Sequence, residues 1–376
     1  MRRAKRKKSG NAARVEDVRP RELAGPKSKR GGGRIRSSDV SLDRTELVSA
    51  ACRMFCCGLK ASEIRDRIKT EFGVSMTREV PYLLIGRAAA QGWIRYTPPA
   101  QFAVEEKIRQ RYPRLQGLTV VHAAMAEDVA NAGARALLRM LQQHYADSEV
   151  HIGFSGGHAM RMVARHLAEL LREPSEALPK KIVFHALVAG FDLYDPTTAP
   201  NSFFTYFVSD PGLQVETAFV GLHAPPIISP KHVADVMALE PIRLARKQID
   251  KLDIIMTSAS PAKDEHNALR LYMHIPEDEL KKAKCVGDIL WQPLGPDGPI
   301  DLRSSVRALT LVDLKELQSF VAGGRRVVLV AGPCGSCHLP KAGIVEAVLR
   351  QERPLITDLV TDSRCASELL NGAREQ

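Results

Sequence analysis

Glu149–Leu171 reads EVHIGFSGGHAMRMVARHLAELL, and how this stretch is read decides the fold. Val150 and Ile152 alternate with polar residues and run into Gly153, Gly156 and Gly157. Met160, Val163, Ala164, Leu167 and Leu171 then recur at helical spacing. The order is strand, glycine turn, helix. In such a unit the turn's N–H groups and the positive end of the helix dipole converge, so a phosphate-like anion can be held without a dedicated cation. The same glycines also fit a tight turn that binds nothing, and spacing does not choose between the two.

Immediately upstream, Asp128–Tyr145 carries Val129, Ala132, Ala136, Leu137, Met140 and Leu141 on one helical face, after a short strand at Leu118–Val121. Phe102–Gln116 reads as a connecting helix with Val104, Ile108 and Tyr112 spaced by four, a linker or a dimer helix. Before it, Leu42–Pro99 predicts three short helices. Leu47, Val48, Ala51, Met54 and Phe55 face inward on the first, which Gly58 ends. Ile64 and Ile68 serve Ala61–Lys69, and Thr77–Gln91 carries Val80, Leu83, Leu84 and Ala88 after a turn at Gly73–Ser75. Cys52, Cys56 and Cys57 read as small core residues.

Three helices with a glycine turn before the third suggest a helix-turn-helix, with Thr77, Arg78, Tyr82 and Arg87 toward DNA and Gly92–Tyr96 as a short strand or wing. A small bundle used for oligomerisation also fits. Pro81 falls inside the third helix unless that helix begins later, and Arg78 and Arg87 are its only cations.

The chain has 376 residues, more than one core usually holds, so two domains plus tails are expected. Residues 1–36 hold 14 Lys and Arg against three acids, a net of +11 that equals the charge of the whole chain, so the remainder is balanced. The basic tail lacks apolar periodicity and is expected to be disordered. Either it attracts nucleic-acid phosphates without regard to sequence or it is a solubilising extension. No stretch has the apolar length of a membrane span, and seven scattered cysteines suit reduced thiols, so a cytoplasmic protein is expected.

With these pieces in order, the chain resembles the SorC-type sugar-sensing transcriptional regulators. The resemblance rests on GFSGGHAMRMVARHL, LVAGFDL followed by Asn201-Ser202, Phe219–Ile228, Val286-Gly287-Asp288-Ile289, VVLVAGP at Val327–Pro333, Lys341-Ala342-Gly343 and the terminal VTDSRCASELL. It covers Leu42 to the C-terminus and implies an α/β chain. A helix-turn-helix (winged-helix-like) module precedes a Rossmann-like effector domain related to sugar-phosphate isomerases. The implied divisions are a basic tail at 1–41, a DNA-binding domain at 42–99, a linker helix at 100–117 and an effector domain at 118–376. Implied partners are a double-stranded DNA operator, a sugar or phosphosugar and a second or further copies of the chain as a homodimer or homotetramer. No cofactor is implied.

Carried over by position, Gly153, Ser155, Gly156, Gly157, His158 and Ala159 face a phosphate, Asp288 accepts from sugar hydroxyls and Lys341 supplies positive charge. The sequence departs from the family pattern at three places. Ser155 replaces a glycine and Ala159 stands where threonine is common, Thr257–Pro261 replaces a glycine-rich turn, and Cys334-Gly335-Ser336-Cys337-His338 is inserted before Lys341. This CxxCH suits zinc, a redox disulfide, haem attachment in an exported protein, or a plain loop. A fourth zinc ligand is not clearly nominated, although Cys365 is available. Because the related fold contains isomerases, an enzyme assembled from His158, Asp192, Asp195, Asp288 and His338 is the alternative. A metabolite sensor that has lost DNA recognition is another.

Overall fold

The computed structural model describes residues 44–372 except 95–96, 124, 176, 191–194, 209 and 303–305. The basic tail, Asp192 and the end of the expected wing lie outside the described residues. The chain divides into two compact units, one before residue 97 and one from Thr97 onward.

The first unit holds α1 (Thr45–Cys56), α2 (Ala61–Phe72) and α3 (Val80–Ala90). Gly58, at φ +85°, ends α1: its N–H donates to the Phe55 carbonyl while that of Leu59 donates to Met54, the paired bonds of a Schellman cap. Leu47, Val48, Ala51, Met54, Ile64, Ile68, Val80, Leu84 and Ala88 form the core. Phe55 and Leu83, expected inside, are 46% and 45% exposed. The inward face of α3 is set by Val80, Leu84 and Ala88 at intervals of four, which turns Leu83 outward. Of the three cysteines read as core, Cys52 on α1 is buried, while Cys56 at its end and Cys57 just beyond it are exposed. The third helix begins at Val80 rather than Thr77, so Pro81 sits in its first turn, where the missing N–H has no helical partner to lose. The link from α2 to α3 is therefore longer than a helix-turn-helix turn of 3–4 residues. No strand is found at the described part of the expected wing.

The second unit opens with α4 (Phe102–Arg111), whose Ile108 is buried in that unit's core. It stops short of Gln116 because Tyr112 precedes Pro113 and is driven out of the helical region. Then come β1 (Gly117–Val121), α5 (Ala126–His144), β2 (Glu149–Phe154), α6 (His158–Leu170), β3 (Lys181–Ala186), β4 (Glu216–Val220) and β5 (Ile227–Ile228). Next are β6 (Ile254–Thr257), β7 (Ala259–Pro261), β8 (Gly287–Ile289), β9 (Gln292–Leu294), β10 (Arg307–Ala308), β11 (Arg326–Ala331) and β12 (Asp358–Asp362), with helices at Ala342–Arg350 and Ser363–Asn371 around the last.

Among the described residues seven strands form one sheet in the order β1-β12-β11-β6-β2-β3-β4, and every pairing in it is parallel. Parallel strands need crossovers that cover both faces, so β2 is buried along nearly its whole length. That corrects the alternation read from its sequence. His151 is only 9% exposed, and its Nδ1 lies 2.8 Å from Nε2 of His185 on β3. A smaller antiparallel sheet, β7-β8-β9, stands beside the large one, and β5 pairs with β10.

Candidate functional site

From β2 the chain winds outward through β3 and β4; β6, β11 and β12 then build the sheet in the other direction. Loops leaving the carboxyl ends of β2 and β6 therefore diverge, which in open parallel sheets leaves a ligand crevice at the point of reversal. Residues 155–157 follow β2 on one wall. The segments after β6 and β11 and the β8–β9 hairpin form the other.

On the β2 wall, Gly153 is not in the loop. It lies within β2 between His185 and Ile255, and a Cβ there would meet the Leu187 side chain at 2.8 Å. The Ser155 amide donates to the Met256 carbonyl at 3.0 Å and the Gly157 amide to Thr198 at 2.9 Å. A Cβ on Gly156 would stand 2.3 Å from the Trp291 indole, while Gly157 holds φ +101°. Packing and turn geometry thus explain the glycines, and two amides expected to face a phosphate are already bonded. The first turn of α6 opens with His158 and Ala159, ahead of the first intrahelical bond, from Arg161 to the Gly157 carbonyl. His158 is exposed, with Nε2 3.9 Å from Asp195. Arg161, which the sequence reading passed over, donates to the Thr197 hydroxyl at 2.5 Å. Thr197 in turn bonds Asp195 and holds its carboxyl below the usual range.

The opposite wall is charged and buried. Asp288, central in β8 and 2% exposed, accepts from Asn267 Nδ2 at 2.8 Å and from the Trp291 backbone N–H. Burial pushes its carboxyl up to about 7, against the opposing pull of Lys341 and Asn267. Lys341, 8% exposed at the start of Ala342–Arg350, has its ammonium pKa lowered by burial. Asn267 is fully buried, donates also to the Ser260 carbonyl and caps the short helix Ala268–Leu271. Leu290 and Trp291 form a two-residue hairpin loop with φ of +52° and +60°. Such loops normally use Asn or Gly, and bulky residues there carry strain. The strained turn lays Trp291, 8% exposed, over Gly156. Neither Trp291 nor Asn267 was legible as a site residue; a Leu-Trp pair carries no turn signal.

The cysteine motif is also corrected. Cys334 and Cys337 meet Asp264 and His266, not His338 or Cys365. The His338 amide closes the loop by donating to the Cys334 carbonyl, and its side chain is exposed outside the group. Cys365 is buried in the last helix, its thiol pushed up to about 12 by burial. In the first unit, Thr77 and Arg78 lie in the turn before α3, while Tyr82 and Arg87 are exposed on it.

A family model described as "Putative sugar-binding domain" matches residues 97–371. Among solved structures, the chain is similar to the full-length sorbitol operon regulator SorC from Klebsiella pneumoniae, at 19% identity over 87% of this chain and 99% of that one, TM-score 0.60. A DeoR family transcriptional regulator from Listeria monocytogenes is similar at 17% identity over 71% and 98%, TM-score 0.52. A transcriptional regulator from Streptococcus pneumoniae is similar at 18% over 72% and 97%, TM-score 0.54. No curated protein sequence matches. At these identities the likeness to solved structures concerns the fold.

Proposed function

The chain belongs to the sugar-binding-domain family, as its resemblance to SorC-type regulators implies, and from that premise we propose that it is a ligand-responsive regulator of transcription. In this reading the crevice between β2 and β6 takes a sugar or phosphosugar. The observation that carries it is the buried Asp288–Asn267 pair beside Lys341: a carboxylate and an amide suit polyol hydroxyls, and a buried ammonium suits an anion. The first-turn amides of α6 and Arg161 add donors on the facing wall. The α1–α3 unit, with Tyr82, Arg78 and Arg87 exposed, is assigned to a double-stranded operator, and two copies of it to paired half-sites. Ligand acts by favouring one of two assemblies through unequal affinity for them.

The reading is one of binding without turnover. Of the residues named for the enzyme alternative, His158 pairs with Asp195 on one wall and Asp288 is held by Asn267 on the other, so they serve separate contacts. No helix among the described residues is long and apolar enough to cross a membrane.

The test is enrichment of genomic DNA fragments by the full chain and by a chain lacking residues 1–36, each at two salt concentrations. One paired site that survives removal of the tail, and is lost with Tyr82→Ala, is expected. Uniform binding that vanishes with the tail would leave only phosphate attraction and overturn the DNA-reading assignment. With an operator in hand, Lys341→Ala should weaken an anionic effector while operator affinity without effector stays unchanged.

A further inference from the structure

Asp264 and His266 leave the loop after β7, and Cys334 and Cys337 leave the loop after β11. His266 Nδ1 lies 3.8 Å from Cys334 Sγ, 68 positions away, and 3.2 Å from Asp264 Oδ1. Cys337 Sγ lies 3.4 Å from that same Oδ1, across 73 positions. All four ligand atoms fall within 4.8 Å of one another. Zinc bonded to two thiolates, an imidazole and a carboxylate at about 2.0–2.3 Å has tetrahedral edges of about 3.3–3.8 Å. Three of the six separations, at 3.2, 3.4 and 3.8 Å, lie close to those edges before any metal is placed.

We propose that Asp264, His266, Cys334 and Cys337 form a closed tetrahedral site for zinc(II). Two sulfurs and an imidazole favour zinc over the hard cations magnesium and calcium, which take oxygen ligands. On binding, each cysteine S–H gives its proton to solvent. Two S–Zn bonds, one N–Zn and one O–Zn bond then replace the ion's water ligands, with no change of oxidation state. The ligand set would carry three negative charges against the metal's two positive, and buried Lys341 lies within electrostatic reach of Cys334 and Asp264 to balance the difference. The His266 backbone N–H donates to Asp264 Oδ1 at 2.9 Å, which orients the carboxylate as second-layer bonds do at metal centres. Asp264 and Cys334 form the buried side, and exposed His266 and Cys337 give the ion a way in.

The metal has a place in the crevice as well. Asn267 follows His266 directly and donates to Asp288, so a metal that fixes His266 to the Cys334–Cys337 loop also fixes the wall carrying Asp288 and Lys341. The zinc assignment does not rest on the regulatory reading, and failure of the DNA enrichment leaves it standing.

The experiment is titration of the full chain, reduced and stripped of metal, with cobalt(II) and then zinc(II). One cobalt per chain is expected, with a thiolate-to-cobalt charge-transfer band and intense tetrahedral visible bands that zinc abolishes. Zinc should raise the melting temperature of the unaltered protein. Cys337→Ser, at an exposed position, and His266→Ala should each retain the metal-free melting temperature while losing at least tenfold in cobalt affinity. A weak six-coordinate spectrum, no bound metal, or undiminished affinity in both variants would overturn the assignment. So would recovery of a Cys334–Cys337 disulfide as the dominant form from anaerobically purified protein.

Discussion

The two walls of the crevice use opposite means. The β2 wall is built from small residues whose missing side chains are filled by neighbours: Leu187 against Gly153, Trp291 against Gly156. The facing wall is built from charge taken out of water: Asp288, Lys341 and Asn267, none more than 8% exposed. One wall is specified by shape and the other by polar satisfaction. The difference teaches that a glycine motif conspicuous in sequence can serve packing, while the groups able to recognise a ligand sit on segments far apart in the chain.

The strongest way to break this comparison is at the point where the walls touch. Trp291→Ala should cost about 3–5 kcal/mol, as large-to-small changes at buried aromatics do. Gly156→Ala should cost about 1–3 kcal/mol by overpacking against the indole. In the Trp291→Ala background, Gly156→Ala should lose most of that cost, a coupling of more than about 1 kcal/mol in urea unfolding. Additive effects would mean that the glycine answers to something other than the tryptophan.

Next in size is a contrast between carboxylates. Asp288→Ala orphans a hydrogen of the Asn267 amide and the Trp291 N–H and should cost about 1–3 kcal/mol. On the other wall, Asp195→Ala removes a cap from the 3-10 turn Pro196–Thr198 and should cost under about 1 kcal/mol. A neutral Asp288→Ala would show that desolvation cancels its bonds and that the carboxyl is kept for a ligand rather than for the fold.

How much of this was legible depends on the range of the signal. The β2–turn–α6 unit could be read because a periodic stripe and three glycines lie within 23 consecutive residues. The core positions of α1, α2 and α3 could be read for the same reason, apart from Phe55 and Leu83, where neighbouring apolar residues compete for one face. His151 was misread as outward because alternation assumes one wet face, and the parallel sheet has none. His266 could not be nominated, because its partnership with Cys334 spans 68 positions and exists only once β6 and β11 lie side by side. His338, adjacent to Cys337, looked the better ligand only in one dimension.

The strand beneath the β2 wall offers a pH test. Burial, and secondarily His151 and Lys251, hold His185 down at about 3 from its ordinary 6.5. Between those values the unfolded chain binds a proton that the folded chain refuses, so stability is full above 6.5 and falls as pH drops toward 3. Urea midpoints measured across this window should slope by up to about one proton per molecule. His185→Leu should flatten that slope. An unchanged slope would place the acid sensitivity elsewhere.

The smallest effect is the one that most sharpens the comparison. Ala159 is half-buried in the first turn of α6, among amides with no helical acceptor, and it stands where the SorC resemblance has a hydroxyl. Ala159→Thr should leave stability within about 0.5 kcal/mol. If the anion of a phosphosugar sits on that turn, the new hydroxyl adds one hydrogen bond, worth about 1 kcal/mol or about a fivefold gain in affinity. Inorganic phosphate titrated by calorimetry into both proteins reads this directly. No gain in Ala159→Thr, together with a loss in Lys341→Ala, would put the anion on the charged wall alone. The β2 wall would then be shape throughout, and its glycine loop a packing device with no ligand to hold.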